Sequence, residues 1–275
     1  MADERKVPVV ISVTSGKGGV GKTNICINLA YCLHKLGKKA LIVDADLGMA
    51  NVDIMLGLTP GYNLFHLFSK GLPLEEIILS TEYGFDVLPG VSGVSEMLSL
   101  DTGQKLELLE IMDQLEDKLD FMIVDTGAGI NDNVLYFNLA VQHRVLVMTP
   151  EPTSLTDAYA LIKVLKLHHG VERFRVVINM AKTQAEAIDT FKRLSKACDH
   201  FLDGISLDLI QTVPLDEKVR KAVSLQHPFC HYAPEAMASK ALMSIAESMI
   251  EWKPVDHLDG NIKFFWKTLL FQENF

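Results

Sequence analysis

A loop rich in glycine and lysine carries the clearest chemistry in this sequence. Residues 16–23 read G-K-G-G-V-G-K-T and fit the phosphate-binding pattern G-x-x-x-x-G-K-[ST]. Because an apolar run at 9–14 precedes the loop, we expect a buried strand before it and a helix N-terminus after it. Lys22 is expected to reach the β- and γ-phosphates, and the Thr23 hydroxyl to ligate Mg²⁺. The sequence therefore predicts binding of a nucleoside triphosphate.

The glycines of this loop suit a close approach to the ligand. Because they lack a side chain, they let the backbone take positive φ and come near the phosphates. Lys17 is a second lysine inside the loop, which the general pattern does not require. The residues expected to contact the nucleotide here are Gly18, Gly19, Val20, Gly21, Lys22, Thr23 and Asn24.

Acidic residues follow two further apolar runs. Asp44 and Asp46 come after the run at 40–43, and Asp125 ends the run F-M-I-V-D at 121–125. The second arrangement is typical of the strand that holds Mg²⁺ through water in phosphate-loop proteins, which makes Asp125 a candidate metal residue beside Thr23. A carboxylate after a strand can also cap the next helix, and this alternative stays open for Asp44.

The composition indicates a globular protein. With 275 residues, 48% of them hydrophobic and 22% charged, the chain is long enough for one large α/β domain and is not expected to be disordered. The net charge of −9 argues against broad affinity for nucleic acid, so we expect no direct nucleic-acid partner. The cysteines form no C-x-x-C pair, as is typical of reduced thiols in a cytosolic protein. No signal-peptide core or membrane-spanning run is evident.

Strand-like runs alternate with amphipathic stretches along the chain, and these stretches predict helices at 23–36, 105–118, 156–168, 185–201 and 234–252. The runs lie at 9–14, 40–44, 85–88, 121–125, 145–149, 175–179 and 209–213. This order predicts an α/β fold with a doubly wound, mainly parallel sheet that is covered by helices on both faces. Ligands bind beyond the carboxyl ends of such strands, where several of the polar residues fall. We expect an ATPase-like domain at 1–252, a linker at 253–260 and an amphipathic C-terminal helix at 261–275.

Aromatic residues are concentrated in this C-terminal stretch. At helical spacing, Phe265, Trp266 and Leu269 share an apolar face, with Lys263 and Lys267 opposite. A helix of this kind can lie in a membrane interface with its lysines toward anionic lipid. It can also dock on a groove of its own chain. We favour contact with an anionic membrane, strengthened when a dimer presents two copies.

The motifs together resemble those of the MinD/ParA family of dimerising ATPases. The stretch K-G-G-V-G-K-T at 17–23 matches the family's deviant phosphate loop, D-A-D at 44–46 resembles its switch I, and D-T-G-A-G at 125–129 resembles its switch II. The resemblance implies ATP and Mg²⁺ as cofactors and an ATP-dependent homodimer in which Lys17 reaches the partner's nucleotide. It also implies that Asp46 orients the attacking water and that Asp44 supports the metal shell. The implied catalytic residues are Lys17, Lys22 and Asp46.

Four more residues gain a role only from this resemblance. Asn179 and Pro214 correspond to the family's adenine pocket, although each alone is a turn residue after a strand. The guanine signature N-K-x-D is absent, which favours ATP. Glu151 and Asp157 correspond to residues that face the dimer interface, but both could equally be acids at a helix start.

Over nearly the whole chain the sequence is similar to the FlhG/FleN branch of this family, also called YlxH. The stretch E-P-T-S-L-T-D-A-Y-A-L-I-K at 151–163 is specific to that branch. The resemblance implies an ATPase that controls the number and placement of flagella, with the FlhF GTPase and flagellar switch or regulatory proteins as partners. It implies a cytoplasmic protein that becomes peripheral at the inner face of the cell membrane when ATP is bound. Members of the family often carry an N-terminal D-Q-A-x-x-L-R segment that activates FlhF. Residues 1–6 are too short to hold it, so the resemblance leaves GTPase activation open for this chain.

Other functions share most of these motifs. A MinD-type division-site regulator would use the same ATP cycle with another partner. A ParA-type partition ATPase would bind DNA, which the acidic balance disfavours. An iron–sulfur carrier of the same superfamily would need paired cysteines, which the chain lacks. From a different class, the protein could be an ATP-gated binding module that sequesters a transcriptional activator, with slow hydrolysis as its timer.

Overall fold

The computed structural model describes residues 8–46, 51–63, 70–90 and 118–252, with single positions at 66, 103, 106, 110, 115 and 267. Strands and helices alternate through these residues as the sequence predicts. The strands are β1 (Val9–Ser15), β2 (Ala40–Ala45), β3 (Leu79–Ser80), β4 (Asp86–Leu88), β5 (Phe121–Ala128), β6 (His143–Met148), β7 (Arg173–Ala181) and β8 (Ser206–Pro214). The helices are α1 (Lys22–Lys35), α2 (Val52–Met55), α3 (Leu74–Ile77), α4 (Asp132–Leu139), α5 (Pro152–His169), α6 (Gln184–Phe201), α7 (Glu217–Ser224), α8 (Phe229–Tyr232) and α9 (Met237–Ile250).

The eight strands of the described residues form one sheet in the order β3-β4-β2-β5-β1-β6-β7-β8. All neighbouring strands run parallel except β3, which is antiparallel to β4 at one edge. Strands β2, β5 and β1 are adjacent in the middle of the sheet and run parallel, so their carboxyl ends lie side by side. The predicted mainly parallel α/β fold is confirmed, and the phosphate loop, Asp46 and Asp125 lie at the carboxyl ends of these three strands.

Helices bury both faces of the sheet, which explains the near-continuous apolar strands. On one face Ile11 and Val13 of β1 pack in a core with Leu29 of α1 and Leu242 of α9. On the other face a core beneath α5 and α6 includes Leu146 of β6. A strand that is covered on both sides needs apolar residues at every position, so the alternation of a half-exposed sheet is absent from the central strands.

Two element boundaries differ from the sequence pattern for local reasons. Helix α5 begins at Pro152, earlier than the position 156 that the amphipathic pattern predicts, because proline suits the first turn of a helix. Strand β7 extends to Ala181 rather than ending at Asn179, and its register with β8 shifts at this end. The helix predicted at 105–118 falls mostly outside the described residues.

Trp252 ends the last continuous described segment in a defined contact. The Arg175 guanidinium carbon lies 3.9 Å from the centre of the Trp252 ring, and the His143 ring meets the same indole edge-on at 5.2 Å. The predicted linker at 253–260 and the tail residues Phe265, Trp266 and Leu269 lie outside the described residues. In the part of the chain that the structure describes, no helix is both long and apolar enough to cross a membrane.

Candidate nucleotide site

The phosphate loop connects the end of β1 to the start of α1, as its sequence predicts. Gly19 and Gly21 have positive φ values of 77° and 93°, a conformation that glycine adopts without strain. The Ser15 hydroxyl donates to the carbonyl oxygen of Lys17 at 2.7 Å and braces the start of the loop. Gly21 is the N-cap of α1 and provides no side-chain acceptor. The first N–H groups of α1 are therefore suited to phosphate oxygens.

Asp125 lies at the carboxyl-terminal half of β5, directly beside Asp44 in the register of the sheet. Its side chain is 1% exposed, and its Oδ1 has no hydrogen-bond partner. Burial raises the pKa of Asp125 to about 7, although the nearby Thr23 hydroxyl opposes this rise. An unpaired carboxylate oxygen beside a threonine hydroxyl and Lys22 fits a Mg²⁺ ion held partly through water. The predicted metal role of Asp125 and Thr23 thus has a suitable donor set.

The Asp44 carboxylate accepts hydrogen bonds from backbone N–H groups of the segment that follows it. Its Oδ1 accepts the N–H of Asp46 at 3.2 Å, and its Oδ2 accepts those of Asn51 and Val52 at 3.1 and 3.2 Å. Burial raises the pKa of Asp44 to about 6, and these three hydrogen bonds oppose the rise. The helix-start alternative that the sequence left open therefore describes the observed contacts. Support of the metal shell by Asp44 stays a prediction.

Asp46 faces a cavity of about 610 Å³ that also contains the phosphate loop. A Cβ placed on Gly127 would lie 3.4 Å from Asp46 Oδ1, so Asp46 adjoins the segment that resembles switch II. The Gly129 N–H donates to the Ser15 carbonyl oxygen at 3.0 Å, which ties this segment to the base of the phosphate loop. The cavity is large enough for a triphosphate, and the structure brings Asp46 and Lys22 to its walls.

Several cavity residues carried no separate signal in the sequence. Asn131 accepts the N–H of Val134 at 3.0 Å and caps α4 at the cavity wall. Asparagines and methionines have no motif of their own, so only their position after a recognised motif could have indicated them. The lining residues that the sequence analysis missed are Asn51, Met55, Asn131, Asn133, Val134 and Met180.

Asn179 contacts the phosphate loop directly, whereas Pro214 lines a different cavity from the one around that loop. The Asn179 Nδ2 donates to the Val20 carbonyl oxygen at 2.8 Å, which fixes the amide and leaves its Oδ1 as an acceptor. Pro214 pairs with Ala181 at the end of β8 and lines a neighbouring cavity of about 420 Å³. The geometry thus suits a base contact for Asn179, while a role for Pro214 depends on the base reaching the second cavity.

Lys17 extends from the loop to the start of α5 in the same chain. Its Nζ lies 2.6 Å from Glu151 Oε2 and 2.8 Å from Thr153 Oγ1. Glu151 is the N-cap residue of α5, but its side chain makes no capping bond, so its carboxylate pairs with Lys17 instead. The backbone of Asp157 packs against Gly16, leaving no room for a Cβ there. Both predicted interface acids therefore belong to the helix that packs on the loop.

A phosphate loop, a buried aspartate beside its threonine and a glycine-containing segment at 127–129 meet at the carboxyl ends of a parallel sheet. These features define a P-loop nucleoside triphosphatase. Comparison with known proteins places it more closely. A family profile described as an AAA domain matches residues 9–181. The chain is 42% identical over 261 residues to the antiactivator FleN of Pseudomonas aeruginosa, covering 95% of this chain and 93% of FleN. It is 34% identical to the flagellum site-determining protein YlxH of Helicobacter pylori, covering 94% and 89%.

Solved structures support the same assignment. The fold is similar to that of the septum site-determining protein MinD of Pyrococcus horikoshii, solved with Mg-ADP, with a TM-score of 0.70 and 27% identity over 89% of this chain and 96% of that one. The chain belongs to the MinD/ParA family of ATPases, in the group of FleN and YlxH. It is an ATP hydrolase that uses Mg²⁺. The similarity to these proteins thus confirms the predicted family, activity and cofactors.

Proposed function

We propose that this ATPase regulates the number and placement of flagella as an ATP-dependent dimer. The observation that carries the dimer is the position of Lys17, whose ammonium is held at the surface by Glu151 and Thr153 beside its own phosphate loop. The relative YlxH, which is named a flagellum site-determining protein, supports the flagellar role. A solved complex of MinD with MinC from Aquifex aeolicus, 25% identical to this chain, supports partner binding as a general property.

In the proposed cycle, ATP binding makes a second copy the better partner for Lys17. The γ-phosphate of the partner's nucleotide offers more negative charge than the exposed carboxylate of Glu151. Transfer of Lys17 to that phosphate couples the nucleotide state to association. Asp46 would then orient water for attack, and Lys22 would neutralise the charge that develops on the phosphate. A Mg²⁺ ion held by Thr23 and Asp125 would supply further positive charge there. Hydrolysis removes the γ-phosphate, and Lys17 returns to Glu151.

The ATP dimer would carry two kinds of external contact. Flagellar switch or regulatory proteins, and the FlhF GTPase, are the proposed protein partners. The tail helix at 261–275 is the proposed contact with anionic lipid, which would place the protein at the inner face of the cell membrane when ATP is bound.

Removal of 261–275 should then abolish ATP-dependent sedimentation with anionic liposomes. Trp266→Glu should weaken it strongly, because a charge would enter the apolar face. Sedimentation that survives both changes would exclude the segment at 261–275 as the contact with lipid.

Sequestration of a transcriptional activator is a second candidate function, because the relative FleN is named an antiactivator. Pull-downs with Asp46→Ala protein in ATP and in ADP distinguish the two. If a transcriptional activator is the protein that is captured in ATP, without switch proteins or FlhF, the result supports the binding-module function. Capture of switch proteins or FlhF supports control of placement.

Flagellar counts provide the test in cells. Deletion of the gene should change the number or position of flagella, and the wild-type protein should restore it where Lys22→Ala does not. Division defects or loss of plasmids with normal flagella would instead support the MinD-type or ParA-type alternatives.

A further inference from the structure

Gln226 adopts a backbone conformation in which glycine is the usual residue. Its φ is +58°, and it directly follows Leu225, the C-cap of α7. The Gln226 N–H donates to the Val223 carbonyl oxygen at 3.0 Å, and the His227 N–H donates to that of Ala222 at 3.1 Å. Many helices end in this pair of bonds, and the residue in the position of Gln226 is usually glycine. A residue with a Cβ is strained there, which makes its side chain a candidate for a functional contact.

The side chain of Gln226 contacts the end of helix α2. Its Nε2 donates to the Ile54 carbonyl oxygen at 2.7 Å, across 172 residues of sequence. A Cβ built on Gly57, just after α2, would lie 3.2 Å from Gln226 Oε1. The next residue, His227, is also held, because its Nδ1 lies 2.6 Å from the hydroxyl of the buried Tyr83. The backbone of Gln226 is therefore fixed on both sides, and its amide packs on the last turn of α2.

Helix α2 depends on contacts at its ends because it is only four residues long. A helix of this length is not stable through its own hydrogen bonds. At its start, Asp44 Oδ2 accepts the N–H groups of Asn51 and Val52. At its end, the Ile54 carbonyl oxygen accepts the amide of Gln226. Helix α2 therefore connects the carboxyl end of β2, in the nucleotide site, with the end of α7.

Helix α2 also contributes to the wall of the nucleotide cavity. Asn51 and Met55 line the same cavity as Asp46 and the phosphate loop. In the sequence, residues 47–50 alone separate Asp46 from Asn51. The position of Asp46 is thus constrained by β2 before it and by α2 after it. A contact that fixes α2 therefore also restrains the segment that carries Asp46.

We infer that Gln226 is a positioning residue for ATP hydrolysis, which holds the end of α2 so that the chain segment 44–51 keeps Asp46 in place to orient water. Gln226 is not among the described residues that line the cavity, so it acts through α2 and not by contact with the nucleotide. This role rests on the proposed role of Asp46. Because the chemical step is sensitive to orientation, a loosely held α2 should slow hydrolysis, while the phosphate loop should still bind the nucleotide.

Gln226→Met tests this role, because it keeps the length of the side chain and the strained backbone but removes the amide donor. Its kcat for ATP should fall about tenfold, while its KM and its ADP affinity should stay within about twofold of wild type. Gln226→Lys retains an N–H donor of similar reach and should recover most of the turnover. Leu225→Ala changes the exposed neighbouring side chain and should leave turnover unchanged.

A second variant separates positioning from folding. Gln226→Gly also removes the donor, but it relieves the backbone strain, so it should melt at the wild-type temperature or above it while kcat falls as in Gln226→Met. Both variants should still dimerise with a non-hydrolysable ATP analogue on size-exclusion chromatography. Wild-type kcat in both variants would overturn the positioning role, as would equal losses of kcat and ADP affinity or loss of the dimer.

Asp46→Ala, measured beside these variants, distinguishes the failure of this role from the failure of the catalytic assignment. If Asp46→Ala is inactive and Gln226→Met turns over as wild type, the role of Gln226 alone is wrong. If Asp46→Ala turns over as wild type, the catalytic role of Asp46 is wrong, and the role of Gln226 falls with it. In the double variant, Gln226→Met should not slow the residual turnover of Asp46→Ala further, because its effect passes through Asp46. A further loss would overturn the route through Asp46.

Discussion

The Lys17 ammonium lies 2.6 Å from the Glu151 carboxylate of the same chain. The two side chains are 35% and 63% exposed, so solvent screens their attraction and the pair contributes at most about 1 kcal/mol. Thr153 adds a hydroxyl at 2.8 Å without adding charge. A contact this weak can be exchanged for a phosphate at little free-energy cost. The lysine is therefore both ordered in the single chain and available to a second one.

Lys17→Ala and Lys22→Ala should separate association from nucleotide binding. Lys22 is buried at the phosphate loop, so its loss should weaken nucleotide binding by a few kcal/mol and abolish dimerisation. Lys17 contacts Glu151 instead, so Lys17→Ala should bind ADP nearly as wild type but fail to dimerise with a non-hydrolysable ATP analogue. Titration of ADP and size-exclusion chromatography measure the two properties. Equal losses of ADP affinity would contradict an intermolecular role for Lys17.

Asp46→Ala should block hydrolysis without preventing ATP or Mg²⁺ from binding. Asp46 borders the cavity, and the hydrogen bond that it donates to Asp44 comes from its backbone N–H, which alanine keeps, so the fold should persist. Loss of the carboxylate that orients water should leave a long-lived ATP dimer on size-exclusion chromatography. Turnover at the wild-type rate would move the catalytic role elsewhere, first to Asp44.

Asn138→Ala should destabilise the protein through a buried hydrogen-bond network that no sequence motif marks. Asn138 is fully buried, accepts the Ser12 hydroxyl at 2.8 Å and donates to Thr14 Oγ1 and the Val134 carbonyl oxygen. Removing it leaves buried polar groups on β1 without this partner, at a cost of about 2–4 kcal/mol in the free energy of unfolding. Urea denaturation measures the change. Asn131→Ala, which removes a helix cap, should cost only about 1 kcal/mol, and equal effects would contradict a special role for the network.

The sequence could predict the parts of the site that follow from local pattern. Glycine spacing, a lysine and an acid at a strand end suffice to indicate the phosphate loop and Asp125. Each of these motifs lies within one short, continuous stretch of the sequence. The fold also follows, since parallel strands covered on both faces require the observed apolar runs.

Contacts between distant segments could not be predicted in the same way. The approach of Glu151 to Lys17 joins residues on separate elements, and the Asn138 network joins α4 to β1. Met180 acquires its position from an irregular pairing of β7 with β8, which no side-chain pattern records. Asp44 shows the same limit, because its three backbone hydrogen bonds depend on how the following segment folds back.

Asp125→Asn should stabilise the protein free of Mg²⁺ and nucleotide at high pH more than at low pH. Burial raises the pKa of Asp125 from 3.8 to about 7, so the folded state keeps a proton that the unfolded state releases between these values. The stability that this proton provides is fully present below about pH 4 and is lost as the pH rises through 7. Asparagine cannot ionise and lacks this loss.

The stability difference between Asp125→Asn and the wild type should therefore grow in favour of the variant by roughly 2–3 kcal/mol between pH 5 and pH 8. Urea unfolding with a metal chelator at both pH values measures this difference, and comparison of the two proteins cancels the titration of other groups. Mg²⁺ with ADP should reverse the order at pH 8, because the metal favours the ionised carboxylate and stabilises only the wild type fully. A difference that stays constant from pH 5 to pH 8 would show that Asp125 does not titrate in this range and that its buried oxygen is ionised throughout.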